Sequence, residues 1–160
     1  MKGIRLTGIP SAEELAASPG IPGRKRLEKG PVAYIECVQE IPCNPCEKAC
    51  PFGAIQVGKP ITNLPRLDEE KCTGCGICIA QCPGLAIFKI DKKYTANSSL
   101  VEFPYEYLPL PKEGEIVPCG NRAGEYLVDG KVVRVKNQRT HDGTAVIAVE
   151  VPQEYCLDVR

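Results

Sequence analysis

One cysteine pattern occurs twice between residues 43 and 82, and no other feature limits the possible folds of this chain as strongly. The first copy consists of Cys43, Cys46 and Cys50, and a shift of 32 residues gives the second copy, Cys75, Cys78 and Cys82. A proline follows the last cysteine of each copy. The second copy also contains Cys72, whereas the matching position in the first copy holds Glu40. Cysteines at such short, repeated spacings predict a small fold built around whatever these thiols bind.

The composition limits what those cysteines can do. Ten cysteines in 160 residues indicate either a disulfide framework or a metal framework. The N-terminal sequence lacks the apolar segment and cleavage site of a secretory signal, and no apolar run approaches the roughly 18 residues of a membrane span. We therefore expect a reducing, cytoplasmic setting, in which clustered cysteines are more often metal ligands. The formal charge of zero offers no electrostatic support for nucleic-acid binding.

The spacing of the second copy distinguishes between metals. A C-x2-C pair alone is compatible with zinc as well as with iron and sulfur. From Cys72 to Pro83 the chain reads C-x2-C-x2-C-x3-C-P, which is the run that binds [4Fe–4S] clusters. In proteins with two such clusters, the fourth cysteine of a run ligates the other cluster. The sequence therefore predicts an iron–sulfur protein, with zinc as the less favoured alternative.

Residues 32–92 resemble the bacterial-type ferredoxins that carry two [4Fe–4S] clusters, and the resemblance depends on the motifs CNPCEKACP and CTGCGICIAQCP. It implies an α+β fold with pseudo-twofold symmetry, in which a β-hairpin and two short helices surround the clusters. The helices would follow Cys46 and Cys78, and a strand would follow each Cys-Pro pair. The residues PVAYIEC, rich in β-formers, would supply the first strand.

The same resemblance implies the ligands of two [4Fe–4S] clusters. One cluster would be held by Cys72, Cys75, Cys78 and Cys50. The other would be held by Cys43, Cys46 and Cys82 with one further ligand. Apolar side chains would surround the clusters and keep water away, namely those of Ile41, Ile55, Val57, Ile77, Ile79, Leu85 and Ile87.

The fourth ligand of the first-copy cluster is the point at which this chain departs from the ferredoxin pattern. Glu40 occupies the position of the expected cysteine, and the nearest spare thiol, Cys37, lies three residues earlier. Three residues span at most about 10 Å, so an outward loop through residues 38–42 would allow Cys37 to reach the cluster. We hypothesise that Cys37 is this ligand. The alternative is a buried thiol at Cys37, with a three-cysteine site or an oxygen ligand from Glu40.

The residues before the cysteine-rich segment predict an arm rather than a domain. In residues 1–31 we expect an extended arm with one short helix, which begins at the capping box Ser11-Ala-Glu-Glu14 and ends before Pro19. The remaining arm, rich in Gly and Pro, would either cover the ferredoxin domain or reach a partner subunit, and the second is favoured. The charge run Arg24-Lys25-Arg26 is expected to be solvated.

The residues after position 92 predict a connector and a small β domain. The aromatic and proline-rich residues 93–112 suggest an extended connector. In residues 113–160 we expect a small antiparallel barrel or half-barrel, with a two-residue hairpin at Asp129-Gly130 and further strands over 115–118 and 144–151. His141 in a turn, and Cys119 and Cys156 without any C-x2-C partner, are expected to have no catalytic or metal role.

The chemistry that these residues indicate is one-electron transfer, with no catalytic site of the chain's own. Taken over nearly its whole length, the chain resembles the small iron–sulfur subunits of FAD-dependent amino-acid dehydrogenases of the proline, hydroxyproline and sarcosine type. That resemblance implies a hetero-oligomeric oxidoreductase complex with flavoprotein partners. A stand-alone soluble ferredoxin is one alternative. Another is a structural or assembly module in which the clusters only stabilise a small core.

Overall fold

The structure, a computed structural model, describes residues 3–160. Within this range the α-helices are all short: α1 (Ile4–Thr7), α2 (Ala12–Ala17), α3 (Arg24–Leu27), α4 (Pro45–Ala49) and α5 (Ile77–Gln81). The strands are β1 (Val32–Ile35), β2 (Ile55–Gln56), β3 (Arg66–Leu67), β4 (Ile87–Asp91), β5 (Ser98–Tyr105), β6 (Ile116–Gly120), β7 (Tyr126–Lys136) and β8 (Ala145–Pro152). Two 3₁₀ turns, Arg139–His141 and Gln153–Tyr155, flank β8. The fold is therefore mixed α and β, and no described helix is long and apolar enough to cross a membrane.

Most strands belong to one antiparallel sheet. Its order is β1-β4-β5-β8-β7-β6, and the longest pairing runs from Ser98–Pro152 to Tyr105–Ala145 between β5 and β8. The two-residue strands β2 and β3 pair separately, with Ile55 opposite Leu67. Helices α4 and α5 contact each other, and α5 also packs against β4, β5 and β8. The sheet thus supports the helices and loops of the cysteine-rich segment on one face.

Two parts of the predicted domain division are wrong. Residues 93–112 are not simply an extended connector, and the C-terminal strands do not form a separate barrel. Residues 98–105 form the central strand β5, which pairs with β4 on one side and β8 on the other. The C-terminal strands continue the same open sheet and do not close into a barrel within residues 3–160. The reason is that Leu100 and Val101 are buried between both neighbours, so the segment gains more from pairing than from solvent exposure.

The predicted hairpin at Asp129-Gly130 is also wrong. Strand β7 runs straight through both residues, which pair with Pro118 and Val117 of β6. A Cβ atom at Gly130 would lie 2.4 Å from Val149 Cγ1 and 2.7 Å from Cys119 Sγ, so this glycine permits close packing rather than a turn. The hairpin between β6 and β7 turns at residues 121–125 instead. There the Asn121 side-chain oxygen accepts the N–H groups of Ala123 and Glu125, and Gly124 adopts a φ of 77°.

The N-terminal arm contains three short helices in its described part, where the sequence predicted one. The predicted helix is α2, and its capping box between Ser11 and Glu14 is present in both directions. The additional helices α1 and α3 are single turns of four residues each. The end of the arm packs on the cysteine-rich segment, since Leu27 is only 5% exposed and Leu67 N–H donates to Pro19 O over 3.0 Å. This part of the arm covers its own domain.

Candidate metal centre

Four of the predicted ligands line one pocket. Cys50, Cys72, Cys75 and Cys78 line one pocket, together with Thr73, Gly74 and Gly76 of the intervening loop. Cys50 ends helix α4, whereas Cys78 lies inside helix α5. Cys75 is exposed and Cys78 is buried. We call this the Cys72 pocket, and it brings together all four residues expected for the first of the two clusters.

The other four predicted ligands line a second pocket. Cys37, Cys43, Cys46 and Cys82 lie around this pocket. Cys37 follows strand β1, Cys46 lies in α4 and Cys82 ends α5. Glu40 is exposed and does not line this pocket. It borders a separate surface groove with Lys59 and Arg66. We call this the Cys37 pocket, and its lining favours Cys37 over Glu40 as the fourth ligand, although ligation itself stays a prediction.

The pKa values of the buried thiols reflect the same division into two groups. Burial raises the pKa of Cys78 to about 12, with further contributions from Cys72, Cys75 and Cys50 in that order. Burial likewise raises the pKa of Cys46 to about 11, with further contributions from Cys82, Cys43 and Cys37. Four thiolates in one pocket repel one another, so a cationic metal group is what would stabilise their ionised form.

Cys50 and Cys82, the last cysteine of each sequence copy, have almost the same local geometry. Cys50 and Cys82 cap their helices with φ and ψ of −81° and 107°, and −83° and 111°, respectively. Each sulfur accepts a backbone N–H from the residue four positions later, Ala54 over 3.3 Å and Ala86 over 3.5 Å. Cys72 Sγ also accepts the Ala33 N–H over 3.5 Å. Such hydrogen bonds favour the thiolate and tune the potential of a bound iron–sulfur group.

The walls of the pockets are largely apolar, as the sequence predicted. Of the residues expected there, Ile55 lines the Cys72 pocket and Ile87 lines the Cys37 pocket, and both are buried. Val57 and Ile79 are buried as well, but they line neither pocket. Ile77 and Ile41 line the Cys72 and Cys37 pockets but are 50% and 44% exposed, so they form outer rims. Leu85 is half-buried with a φ of 52°. The rims leave apolar surface beside both pockets.

The chemistry of these pockets fits an iron–sulfur cluster. In such a cluster each iron atom at the periphery takes one thiolate, so four thiols spread round a pocket suit it. A single zinc ion would need its thiolates to meet at one point about 2.3 Å from each sulfur. Four thiols in each pocket are the donor set that a [4Fe–4S] cluster takes.

Arg26 is a residue of the site that the sequence interpretation missed. It is 9% exposed, although Arg24 and Lys25 beside it are exposed as expected. Its guanidinium donates to the carbonyl oxygens of Glu69, Gly30, Pro31 and Cys72, over 2.7 to 3.2 Å. Arg26 thereby holds the loop that carries Cys72. The sequence offered one indication that Arg26 is buried, namely its position directly before the apolar Leu27.

The remaining candidates lie away from both pockets. Cys119 and Cys156 are buried in the hydrophobic core and line neither pocket. His141 ends a 3₁₀ turn and lines neither pocket. All eight predicted ligands line the two pockets, and their ligation stays a prediction.

Comparison with known proteins connects this segment to iron–sulfur proteins. Residues 65–88 match the 4Fe-4S binding domain family. The polyferredoxin-like subunit of the aliphatic sulfonate oxidoreductase of Pyrococcus furiosus is 46% identical over 133 residues, which cover 77% of this chain and 62% of that subunit. A subunit of the ion-translocating oxidoreductase complex of Methanosarcina acetivorans is 53% identical over 47 residues, covering 29% of this chain and 17% of that subunit.

A third relative has a name from a different functional class. Translation initiation factor RLI1 of Saccharomyces cerevisiae is 31% identical over 98 residues, which cover 51% of this chain and 14% of that protein. This chain spans less than two thirds of the length of each of these three relatives. No solved structure matches it significantly. Residues 65–88 thus match a 4Fe-4S binding domain, and the chain is similar to proteins named as subunits of oxidoreductases.

Proposed function

We propose that this chain is an electron-transfer subunit that holds two [4Fe–4S] clusters and passes single electrons between redox partners. The observation that carries the proposal is the pair of pockets, each lined by four cysteines. Cys72, Cys75, Cys78 and Cys50 would hold one cluster. Cys37, Cys43, Cys46 and Cys82 would hold the other. The related backbone geometry at Cys50 and Cys82 supports a pseudo-twofold arrangement of the two sites.

Each bound cluster would supply a centre that accepts and releases one electron, and the chain would control its environment. The buried side chains of Ile55 and Ile87, one in each pocket, exclude water from the pockets. The N–H groups of Ala54 and Ala86 donate to ligand sulfurs and disperse their charge. Because these groups are fixed by the fold, a change in cluster charge requires little rearrangement of the protein.

We propose further that the chain works inside a larger complex. Relatives named as subunits of oxidoreductase complexes support this. The six-stranded sheet supports it as well, since strands β5 to β8 add a large structure beyond what the cysteine motifs require. Exposed apolar side chains beside the pockets, Phe52 at 49% and Ile77 at 50%, are available for contact with another subunit.

The most specific part of the proposal concerns the identity of the catalytic subunit that passes electrons to this chain. The resemblance to small subunits of FAD-dependent amino-acid dehydrogenases favours a flavoprotein, and the name of the Pyrococcus relative offers sulfonate oxidation as a second possibility. Purification from the native source, followed by cofactor analysis of the co-purifying subunits, separates the two. We expect protein-bound flavin in a subunit that reduces this chain when an amino acid is added. A complex without flavin contradicts the flavoprotein proposal, and a chain recovered without any partner contradicts the subunit proposal.

A second candidate function is a structural module whose clusters only stabilise the fold. The relative named as a translation initiation factor favours it, since that name implies no redox reaction. Reduction of the purified chain with dithionite, followed by electron paramagnetic resonance (EPR), distinguishes the two functions. An electron-transfer subunit is reduced and reoxidised repeatedly without loss of iron. A structural module would remain unreduced or lose its iron.

A further inference from the structure

A row of side chains connects the Cys72 pocket to a buried ion-pair group in the sheet. The strand registers place Ala33, Lys89, Glu102, Ala148 and Arg134 directly opposite one another across β1, β4, β5, β8 and β7. Residues directly opposite one another share one face of a sheet. Because Lys89 lines the Cys72 pocket, and both Lys89 and Glu102 approach Gly76 of its loop, this face is the one that carries the Cys72 pocket.

The charged members of this row are paired, and two of them, Lys89 and Glu102, are buried, whereas Arg134 is partly exposed. Lys89 Nζ lies 2.6 Å from Glu102 Oε1, and their side chains are 11% and 1% exposed. Arg134 reaches past the small Ala148 and contacts the same carboxylate oxygen. Two cations therefore share one anion, so the group has a net charge of +1. Charges in such a buried site are screened by solvent much less than surface charges.

Within this group Lys89 lines the Cys72 pocket, whereas Glu102 and Arg134 do not. Glu102 Oε2 and Lys89 Cδ lie 3.5 Å and 3.7 Å, respectively, from the position of a Cβ atom on Gly76 in the loop of this pocket. The carboxylate thus holds the lysine beside this loop and partly offsets its charge.

The Cys37 pocket has no corresponding cation among its described lining residues. The 32-residue shift that relates the two cysteine copies places Lys89 on Val57, which is 5% exposed. The other buried charged group, Glu36 with Arg122 and Arg160, lies on the opposite face of the sheet. This follows because Arg160 packs over the rings of Tyr34 and Phe88, which pair with each other and alternate with Ala33 and Lys89. The lining of the Cys72 pocket therefore includes a buried cationic side chain, Lys89, that the described lining of the Cys37 pocket lacks. Arg26, which donates to Cys72 O, is a second buried cation on the Cys72 side.

We propose that Lys89 is a positioning residue that raises the reduction potential of the cluster held by Cys50, Cys72, Cys75 and Cys78 above that of the other cluster. The inference rests on the proposed function, since it assumes that both pockets hold reducible clusters. A nearby fixed cation stabilises the more negative, reduced state, and the net charge around a cluster is one determinant of its potential. The one-electron-reduced protein then holds its electron mainly in the Cys72 pocket, beside the exposed Cys75.

The test is an anaerobic redox titration followed by EPR, with the clusters identified by the signal that a Cys75→Ser variant changes. We expect Lys89→Met to lower the potential of that cluster and leave the other unchanged. Lys89→Arg, which keeps the charge, should restore it. Glu102→Gln should shift the same potential upwards, because the variant removes the anion that offsets Lys89. A purely structural role would loosen the site and move both variants in the same direction, so opposite signs identify the electrostatic role.

Lys93→Met is the matched control, since it removes an exposed lysine that pairs with Glu28 and should shift neither potential. Suppose that the wild type has two reducible clusters. If Lys89→Met then shows no selective shift in potential, or if Lys89→Met and Glu102→Gln shift the potential in the same direction, this inference is overturned and the proposed function still stands. A wild type without two reducible clusters overturns both. If Lys89→Met fails to take up its clusters, Glu102→Gln provides the test: a higher reduction potential supports the inference, and an unchanged or lower potential overturns it.

Discussion

Arg26 Nη2 donates to the backbone carbonyl oxygen of Cys72 over 2.7 Å, across 46 positions of sequence. The same guanidinium binds carbonyl oxygens of Gly30, Pro31 and Glu69, and so connects the N-terminal arm to the start of the loop that carries Cys72. The arm is therefore part of the metal centre, because it fixes the backbone of a proposed ligand.

Replacing Arg26 tests this role. Arg26→Gln leaves several buried carbonyl groups without donors, and each such group costs about 1–3 kcal/mol. We expect the variant to lose its visible iron–sulfur absorbance to a chelator much faster than the wild type. Arg24→Gln, which changes an exposed arginine of the same helix, is the control and should behave as the wild type. Equal rates of loss in both variants would show that Arg26 does not support the site.

Cys37 is the proposed ligand that the sequence motif leaves open. Because Cys37 lines its pocket and Glu40 does not, Cys37→Ala should reduce the iron content below the about eight atoms per chain expected of two clusters. Its EPR spectrum should also change. Glu40→Gln should retain both the full iron content and the wild-type spectrum. Full iron with an unchanged spectrum in Cys37→Ala, or iron loss in Glu40→Gln, would exclude Cys37 in favour of the alternative.

Gly130 provides a stability test away from the cysteines. In Gly130→Ala the new methyl group would meet Val149 and Cys119 within 2.7 Å, and such overpacking costs about 1–3 kcal/mol. We expect a lower denaturation midpoint. Gly84→Ala is the matched control, since a Cβ atom there has no neighbour within 4 Å, and it should change stability by less than about 0.5 kcal/mol. A Gly130→Ala protein as stable as the wild type would mean that β6, β7 and β8 pack less closely.

Removal of the clusters should affect the two parts of the fold differently. The loops of residues 37–54 and 68–85 have few backbone pairs within sheets, whereas β5, β7 and β8 form long ladders. We therefore expect amide hydrogen exchange to become faster in these loops after oxidative cluster removal, with β5 and β8 still protected. Uniform loss of protection would show that the sheet depends on the clusters as much as the loops do.

The features that the sequence predicted correctly depend on local chemistry. The capping box at Ser11 and the strand at Val32–Ile35 are local signals, and both are present. The grouping of the cysteines into two sets of four came from the ferredoxin resemblance, and the fold assembles the same two groups. Short motifs of this kind fix their own neighbourhood, so they can be interpreted without the rest of the fold.

The errors arise where distant residues decide the conformation. Asp129-Gly130 has the sequence of a turn, but Val149 and Cys119 require a residue without a side chain at Gly130. Arg26 belongs to a charge run, but four carbonyl groups from other segments bury it. Lys89 and Glu102 each interrupt an apolar strand. That signal could have identified a buried ion pair, although not its position beside a cysteine pocket.

The central claim is that this chain holds two reducible [4Fe–4S] clusters, and a reductive titration of the anaerobically purified protein with iron and sulfide analysis tests it most directly. The two four-cysteine pockets predict about eight iron atoms and about two electrons accepted per chain. About four iron atoms with one electron accepted, or zinc in place of iron, would contradict the account.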